Sequence, residues 1–331
     1  LAPVSRLPFR AVVSLLSVVG LRGLFFLLLG LFGRQLRLLF LRSGLGRRLW
    51  DDWCKYPAKK GEHTLLAGSP CMRSEQMMVN EGETLRLETF GTGGTSASTA
   101  AVISGGGVTR LFFVFGTLKL ANLVLAEGRA PNREHGGAIL VFGALDILGL
   151  VTIRQSSAPF GAGGAICLTK HLNQNSLPIA TISGSGTRLK LEGNTALSGG
   201  AIALVSQGNA GSLRVEEGAL LEVKGNTASA AYNDTGWGGG GVYMQGLGTI
   251  ITITGIGSRA LFKSNTAARG GGGVVCNEGS TLLVENGGTL DVIRNTATDP
   301  TIGGGGMYLS GPGAMLFVVD AATHLNVSDN T

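Results

Sequence analysis

The sequence of 331 residues has few of the residues that mark several common classes of protein. Only 15% of its residues are charged and 44% are hydrophobic, which excludes the composition of an intrinsically disordered chain. Four cysteines are too few for a scaffold held together by disulfides. Nine prolines and glycines without a period of three exclude collagen. Aromatic residues make up 6%, so a folded core must consist mainly of aliphatic side chains.

The positive charge is concentrated at the N-terminus. Residues 1–50 contain eight of the 27 basic residues, all of them arginine, and no acidic residue. The remaining residues carry 19 Lys or Arg and 21 Asp or Glu, so the formal charge of +6 belongs to this segment. A nucleic-acid-binding protein needs a basic face on a folded domain. The nearly neutral remainder therefore predicts no nucleic-acid partner.

Residues 1–50 form a hydrophobic, Arg-rich head. Within it, residues 11–33 contain one charge, Arg22, and are long enough to cross a bilayer as a helix. We expect a signal anchor or signal peptide there, and hence a protein that is membrane-anchored at the cell surface or extracellular. The alternative is that the head, which lacks lysine and acidic residues, is an artefact of the gene model. Residues 51–79 are expected to be a polar linker.

From about residue 130 the sequence repeats with a period of about 34 residues. A Gly-Gly pair followed by apolar residues recurs six times, at spacings of 27, 36, 41, 32 and 33 residues. Glycine adopts positive φ without steric cost, so we expect these pairs to form backbone corners. The predicted corner residues are Gly136, Gly163, Gly199, Gly240, Gly272 and Gly305.

An Asn-Thr pair also recurs in each of the later units. Apolar residues stand three and five positions before each asparagine, which is the spacing of one face of a β-strand. The amide of asparagine is both a donor and an acceptor, so stacked asparagines can hydrogen-bond to one another. The predicted asparagine column consists of Asn194, Asn226, Asn265, Asn295 and Asn330.

Strands this short cannot bury a core alone, but repeat units stacked on one another can. The sequence therefore predicts an all-β parallel β-helix over residues 80–331, with regular repeats from about residue 130. A helix is expected only in the hydrophobic head. The chain stops just after Asn330-Thr331, where another Gly-Gly pair is due, so we expect the natural protein to continue.

The residues after each Gly-Gly pair alternate in character. When the first and third positions are placed inside, the second position forms an outward stripe of aliphatic and tyrosine side chains. Such a stripe is a candidate binding surface, although strand propensity alone also accounts for it. The stripe consists of Ile139, Ile166, Ile202, Tyr243, Val275 and Tyr308.

These repeats resemble those of a known family. The GGAI tetrads at Gly136, Gly163 and Gly199, with FKSN at residues 262–265, resemble the GGAI and FxxN repeats of the chlamydial polymorphic outer membrane proteins. The resemblance covers about residues 130–331, and only one unit has the phenylalanine. It implies a pectin-lyase-like right-handed β-helix, an exposed or secreted location, and a role in adhesion or surface display. It carries no set of catalytic residues.

Residues that carry chemistry are sparse. The aspartates of the repeats form no adjacent pair, and His135, just before a Gly-Gly pair, is expected to be a solvated loop residue. No glycine run is followed by the Lys-Ser/Thr of a phosphate-binding loop. We therefore predict a non-enzymatic protein that binds an unknown surface partner or glycan or serves as a structural spacer, with no catalytic residue, cofactor or metal. The alternative is a carbohydrate-active enzyme, a polysaccharide lyase or glycoside hydrolase, because distant carboxylates can meet in space.

The four cysteines fall into two groups. Cys167 and Cys276 follow their Gly-Gly pairs by the same number of residues, so we expect both in one column as small buried hydrophobic residues. Cys54 and Cys71 are candidates for a disulfide if the protein enters an oxidising compartment.

Overall fold

A computed structural model describes residues 60–65, 70–89, 100–171, 176–205, 211–229, 238–299 and 303–331. The chain divides into a unit of residues 1–52 and a unit of residues 53–331, and all described residues belong to the second. The predicted helix at residues 11–33 lies outside the described ranges. Within those ranges the structure contains no helix with the length and apolarity needed to cross a membrane.

The regular elements of the described residues are all β-strands, as predicted. The first ten are β1 (Gly61–Leu65), β2 (Pro70–Met72), β3 (Met77–Val79), β4 (Thr84–Thr89), β5 (Ala101–Ser104), β6 (Phe112–Val114), β7 (Thr117–Ala126), β8 (Ile139–Val141), β9 (Ala144–Arg154) and β10 (Ser157–Ala162). The next ten are β11 (Ile166–Leu168), β12 (Ile179–Ser183), β13 (Arg188–Glu192), β14 (Thr195–Ser198), β15 (Ile202–Val205), β16 (Ser212–Glu216), β17 (Leu220–Lys224), β18 (Thr227–Ala228), β19 (Val242–Gln245) and β20 (Ile250–Thr254). The last are β21 (Arg259–Lys263), β22 (Thr266–Ala267), β23 (Gly270–Gly271), β24 (Val274–Asn277), β25 (Thr281–Glu285), β26 (Thr289–Ile293), β27 (Thr296–Ala297), β28 (Gly303–Gly304), β29 (Met307–Ser310), β30 (Met315–Val318) and β31 (His324–Ser328).

The strands form four sheets in which the pairings are parallel. A sixteen-stranded sheet has the order β30-β25-β20-β16-β12-β9-β13-β17-β21-β26-β31, and β1, β2, β4 and β5 join it through β7, which pairs with β9. An eight-stranded sheet has the order β29-β24-β19-β15-β11-β8-β6-β3. Smaller sheets have the orders β10-β14-β18-β22-β27 and β23-β28. Neighbouring strands therefore belong to successive repeat units.

Successive units pair in register. Leu189 lies opposite Leu221, and Leu221 lies opposite Ala260. The apolar residues three and five positions before each asparagine thus form two continuous columns, which are at most 1% exposed from Leu189 to Val292. Parallel strands lie about 4.8 Å apart, so like side chains stack on like. This arrangement fits a β-helix.

The two longest strands each take the place of two strands. β9 pairs with β12 through its first half and with β13 through its second half. In the next unit a turn separates the two halves, with Gly184 and Gly186 at φ of +100° and +86°. Glycine adopts these angles without the clash that a β-carbon would cause. The unbroken β9 also has a left-handed residue at this junction, Gly149 at φ +65°. The extra residues of the later turn therefore separate one strand into two, and the left-handed angle alone does not.

The predicted linker, residues 51–79, contains paired strands. β1 lies beside β4, β2 beside β5 and β3 beside β6, each in parallel register. Cys71 and Val79 are fully buried. The linker interpretation is therefore wrong for these three strands, and the paired region includes Gly61 rather than beginning at residue 80. These strands were not predicted because they are only three to five residues long and have neither the Gly-Gly pair nor the Asn-Thr pair of the repeats.

Candidate functional site

The structure brings the five predicted asparagines together in one hydrogen-bonded column. At each step the backbone N–H and the Nδ2 of one asparagine both donate to Oδ1 of the next, over 2.8–3.0 Å. Each Nδ2 also donates to a backbone carbonyl of the preceding unit, as Asn194 does to Ile153 O at 3.1 Å. The fully buried members are Asn194, Asn226, Asn265 and Asn295. Their burial is tolerated because each amide has partners for its donor and acceptor atoms.

The column continues into earlier units with smaller residues. The backbone N–H of Ser156 donates to Asn194 Oδ1 at 2.9 Å, and the N–H of Gly128 donates to Ser156 Oγ at 3.2 Å. Ser156 is 1% exposed and therefore occupies an asparagine position without an asparagine. The signal for it is its place three residues after Ile153, which belongs to a buried column.

The residue before each asparagine makes a left-handed turn. Gly193 and Gly225 have φ of +60° and +64°, while Ser264 and Arg294 have φ of +54° and +55°. The repeated left-handed residue directs the following asparagine into the interior. Non-glycine residues adopt this region only occasionally, so the backbone at this position is imposed by the stacked units.

The six predicted corner glycines occupy two different positions. Three have φ between +60° and +72°, as a corner requires: Gly136, Gly163 and Gly199. The other three occupy the next position of the repeat, which in the earlier units is the second glycine of the pair: Gly240, Gly272 and Gly305. A β-carbon on Gly240 would lie 2.4 Å from the carbonyl oxygens of both Gly272 and Thr266. Glycine is needed there for close backbone contact and not for positive φ, so the corner interpretation is corrected for the last three residues.

A shift of one residue in the register explains this correction. Ile202 lies opposite Val242 and not opposite Tyr243. The N–H of Ala201 donates to Gly241 O at 3.1 Å, so Gly241 stands in the place of the alanine. The last glycine of each four-glycine run is therefore the alanine position of the GGAI tetrad. Alignment on the last two glycines displaces every following residue by one.

The predicted outward stripe is wrong for two reasons: its three isoleucines are buried and not outward, and the one-residue shift places its last three members in a different column. Its three isoleucines belong to a fully buried column that continues with two valines: Ile139, Ile166, Ile202, Val242 and Val274. Its other members belong to the neighbouring column, where they follow Leu140, Cys167 and Ala203: Tyr243, Val275 and Tyr308. Tyr243 and Val275 are also buried, at 4% and 0% exposure, and Tyr308 is half-buried.

The column of Tyr243 carries a polar network at its later end. Tyr243 Oη donates to Gln245 Oε1, and Gln245 Nε2 donates to Glu278 Oε2, each at 2.7 Å. Asn277 Nδ2 lies 3.5 Å from Tyr243 Oη. Burial raises the pKa of Tyr243 to about 12, so its hydroxyl remains a donor at neutral pH. Glu278 is exposed, and the network therefore ends in a carboxylate that faces solvent.

In the earlier units the same face is aromatic. The rings of Phe113, Phe115 and Phe142 have centroids 5.0–5.2 Å apart. His171 packs edge-on against Phe115 and Phe142, each at 5.2 Å. Phe142 also packs with Leu140 in a buried apolar cluster. This face of the eight-stranded sheet thus changes from aromatic to polar along the repeats.

A fully buried arginine lies beside the aromatic cluster. The guanidinium of Arg110 stands 5.4 Å from the ring centroid of Phe113. Its Nη2 donates to Glu134 Oε2 at 2.7 Å and to His135 O at 2.8 Å, and its Nε donates to Gly136 O at 2.9 Å. Sequence reasoning assigned no role to Arg110 because these partners are 24–26 positions away.

The prediction that Cys167 and Cys276 share one column is wrong, whereas the prediction that both are buried is confirmed. Cys276 lies opposite Met244, with Sγ and Sδ 3.9 Å apart, whereas Cys167 lies opposite Ala203 in the adjacent column. Both are fully buried, and burial raises the pKa of each thiol to about 12. Cys71 is disulfide-bonded. Its suggested partner, Cys54, lies outside the described residues.

Neither local chemistry nor comparison with known proteins identifies an activity. Among the residues that the structure describes, no group of three or more His, Cys, Asp and Glu is placed to hold a metal ion. No family model, curated protein or solved structure matches the chain. The geometry of the repeats is therefore the basis for a functional proposal.

Proposed function

We propose that this protein is a right-handed parallel β-helix of the polymorphic outer membrane protein type, and that it acts without catalysis as a surface or secreted binding protein. The asparagine column is the observation that carries the proposal. It bonds each unit to the next through buried amides, and so favours one rigid register along the repeats. A rigid repeat presents its outward side chains at fixed spacing, which suits the recognition of an extended partner.

The best candidate for a contact site is the network of Tyr243, Gln245, Asn277 and Glu278. Its internal hydrogen bonds fix the orientation of an amide and of a carboxylate at the surface. The half-buried Tyr308 lies on the adjoining strand in the same column. Amides and carboxylates bond to hydroxyl groups, and an aromatic ring packs on apolar faces. A glycan presents both features, so we propose a glycan as the ligand.

The disulfide at Cys71 supports an extracellular or surface location, because disulfides persist in oxidising compartments. Residues 11–33 are proposed as the anchor or signal segment that directs the chain there.

Binding of the full chain to a glycan array and to cell surfaces tests this proposal. We expect binding that Glu278→Ala weakens about tenfold, corresponding to about 1.4 kcal/mol. Glu285→Ala, which removes the same charge from the end of β25 on another sheet, should leave binding unchanged. Equal binding by the two variants would contradict the contact site. Turnover of a polysaccharide that is lost on changing a single aspartate would instead establish the carbohydrate-active enzyme.

A further inference from the structure

Two hydrogen bonds join the segment of residues 131–136, between β7 and β8, to β10: one between backbone groups and one from the backbone to a side chain. The N–H of Gly136 donates to Ala162 O at 2.9 Å, and the N–H of Ala162 donates to His135 Nδ1 at 2.9 Å. The carbonyl oxygen of Glu134 lies only 2.0 Å from the position that a β-carbon on Gly161 would take. The backbones of the segment and of β10 therefore touch directly.

On its other side the segment supplies acceptors to the buried Arg110. Three of its groups accept hydrogen bonds from this guanidinium: the Glu134 carboxylate, the His135 carbonyl and the Gly136 carbonyl. Gln76 Oε1 supplies a further acceptor at 3.1 Å. Because most of the partners of this buried cation belong to one short segment, movement of the segment would leave Arg110 undersatisfied. The docking at β10 and the burial of Arg110 are thus linked.

The hydrogen bond from Ala162 requires a neutral imidazole. Nδ1 of His135 accepts from an N–H, so the proton of the neutral ring must be on Nε2. When the ring is protonated, Nδ1 carries a hydrogen that points at the N–H of Ala162, and the bond at 2.9 Å is replaced by repulsion. The N–H of Ala162 then loses its acceptor, and the segment keeps only the bond from Gly136 to Ala162 O on this side.

We propose that residues 131–136 form an acid-released latch, in which protonation of His135 detaches the segment from β10 and removes acceptors from Arg110. The charged groups that act on His135 are Arg110, which opposes protonation, and Glu134, which favours it. Cys167, on the adjoining β11, is a protonated thiol at any relevant pH.

The direction of the pH dependence follows from the site. Burial, with a further contribution from Arg110, lowers the pKa of His135 below its ordinary value of about 6.5. The neutral ring is thus the form that the folded state favours. The latch is fully closed above about pH 6.5 and opens as the pH falls through the lowered pKa.

Hydrogen exchange of the full chain, followed by mass spectrometry at about pH 7.5 and about pH 5, tests the latch. After correction for intrinsic exchange rates, peptides covering residues 131–137 and 158–164 should lose protection at the lower pH. A peptide covering β17 should keep its protection. His135→Asn is the matched variant, because Oδ1 of asparagine stands close to the position of Nδ1 and does not titrate. Its protection at residues 158–164 should be independent of pH.

Two results would overturn the proposal. One is unchanged protection of the wild-type segment at about pH 5, and the other is an equal acid-induced loss in His135→Asn. If the variant does not fold, the midpoint of the wild-type transition and an NMR titration of the His135 ring decide the matter. Coincident midpoints below about pH 6.5 support the latch, and separate midpoints refute it.

Discussion

Replacing Asn226 with alanine removes one amide from the buried asparagine column and provides a direct test of its role. Four hydrogen bonds are lost. The Nδ2 of Asn226 no longer donates to Leu191 O or to Asn265 Oδ1, at 3.1 and 2.9 Å. Its Oδ1 no longer accepts from the N–H and Nδ2 of Asn194, both at 2.9 Å. The backbone N–H of residue 226 keeps its bond to Asn265 Oδ1.

The cost is determined mainly by the donors left behind. Asn194 is fully buried, so its N–H and one Nδ2 hydrogen lose their acceptor in a place that water does not reach. Each unsatisfied buried group costs about 1–3 kcal/mol. We therefore expect Asn226→Ala to lower the free energy of unfolding by about 2–6 kcal/mol, a large part of the 5–15 kcal/mol that is typical of a domain.

Urea unfolding followed by circular dichroism measures this loss. Lys224→Ala, at an exposed position two residues earlier in the same unit, is the control and should change the stability by less than about 0.5 kcal/mol. Because repeat arrays can unfold in parts, hydrogen exchange of residues 188–195 should show reduced protection in Asn226→Ala. A free energy of unfolding within about 0.5 kcal/mol of the wild type, with an unchanged dependence on urea, would refute the role assigned to the column.

Three substitutions and one labelling experiment test the packing of the repeat units. Gly240→Ala should lower the free energy of unfolding by about 3 kcal/mol or more, because its β-carbon would lie 2.4 Å from two carbonyl oxygens. Gly225→Ser should lower it much less, since a serine occupies the equivalent position in the next unit. Phe262→Ala should cost about 3–5 kcal/mol in urea unfolding, because this ring is fully buried, and a cost below about 1 kcal/mol would contradict its burial. At neutral pH, Cys167 and Cys276 should resist a thiol reagent until the protein is denatured, because burial raises the pKa of each to about 12; rapid labelling of the folded protein would contradict this.

The repeat marks were sufficient to predict the all-β class of the described residues and their parallel strands. The prediction succeeded because the residues that define a column position lie close together within one repeat unit. The apolar residues at Leu189 and Leu191 and the asparagine after them occur within one short segment, and each unit repeats that segment. Stacking then follows, since a strand with one buried face pairs with the next strand in the register that keeps the same face inside.

The register after the glycine runs could not be decided in this way. Four consecutive glycines can be matched to Gly-Gly-Ala in more than one way, and the residues that follow are apolar in each alignment. In the folded chain the space available to the side chain at the alanine position decides between these alignments. A β-carbon on Gly241 would lie 2.6 Å from Gly273 O, 3.2 Å from Asn265 Nδ2 and 3.3 Å from Val223 Cγ1. The alanine position therefore accommodates glycine or alanine but not the larger side chain of Val242, which the other alignment would place there. The last three members of the predicted stripe were misaligned because they depended on this choice, whereas its three isoleucines were wrong because they are buried.

By itself, the amino-acid sequence determined the strand class, the repeat length and the identity of the asparagine column, because these depend on patterns within one unit. Only the tertiary structure decided which residues of the later units face each other, that the chain is already paired at Gly61, and that Arg110 is buried against residues 134–136. The physical reason is distance along the chain. Packing and hydrogen bonds between residues tens of positions apart depend on the shape of the folded units, which leaves no local mark in the sequence.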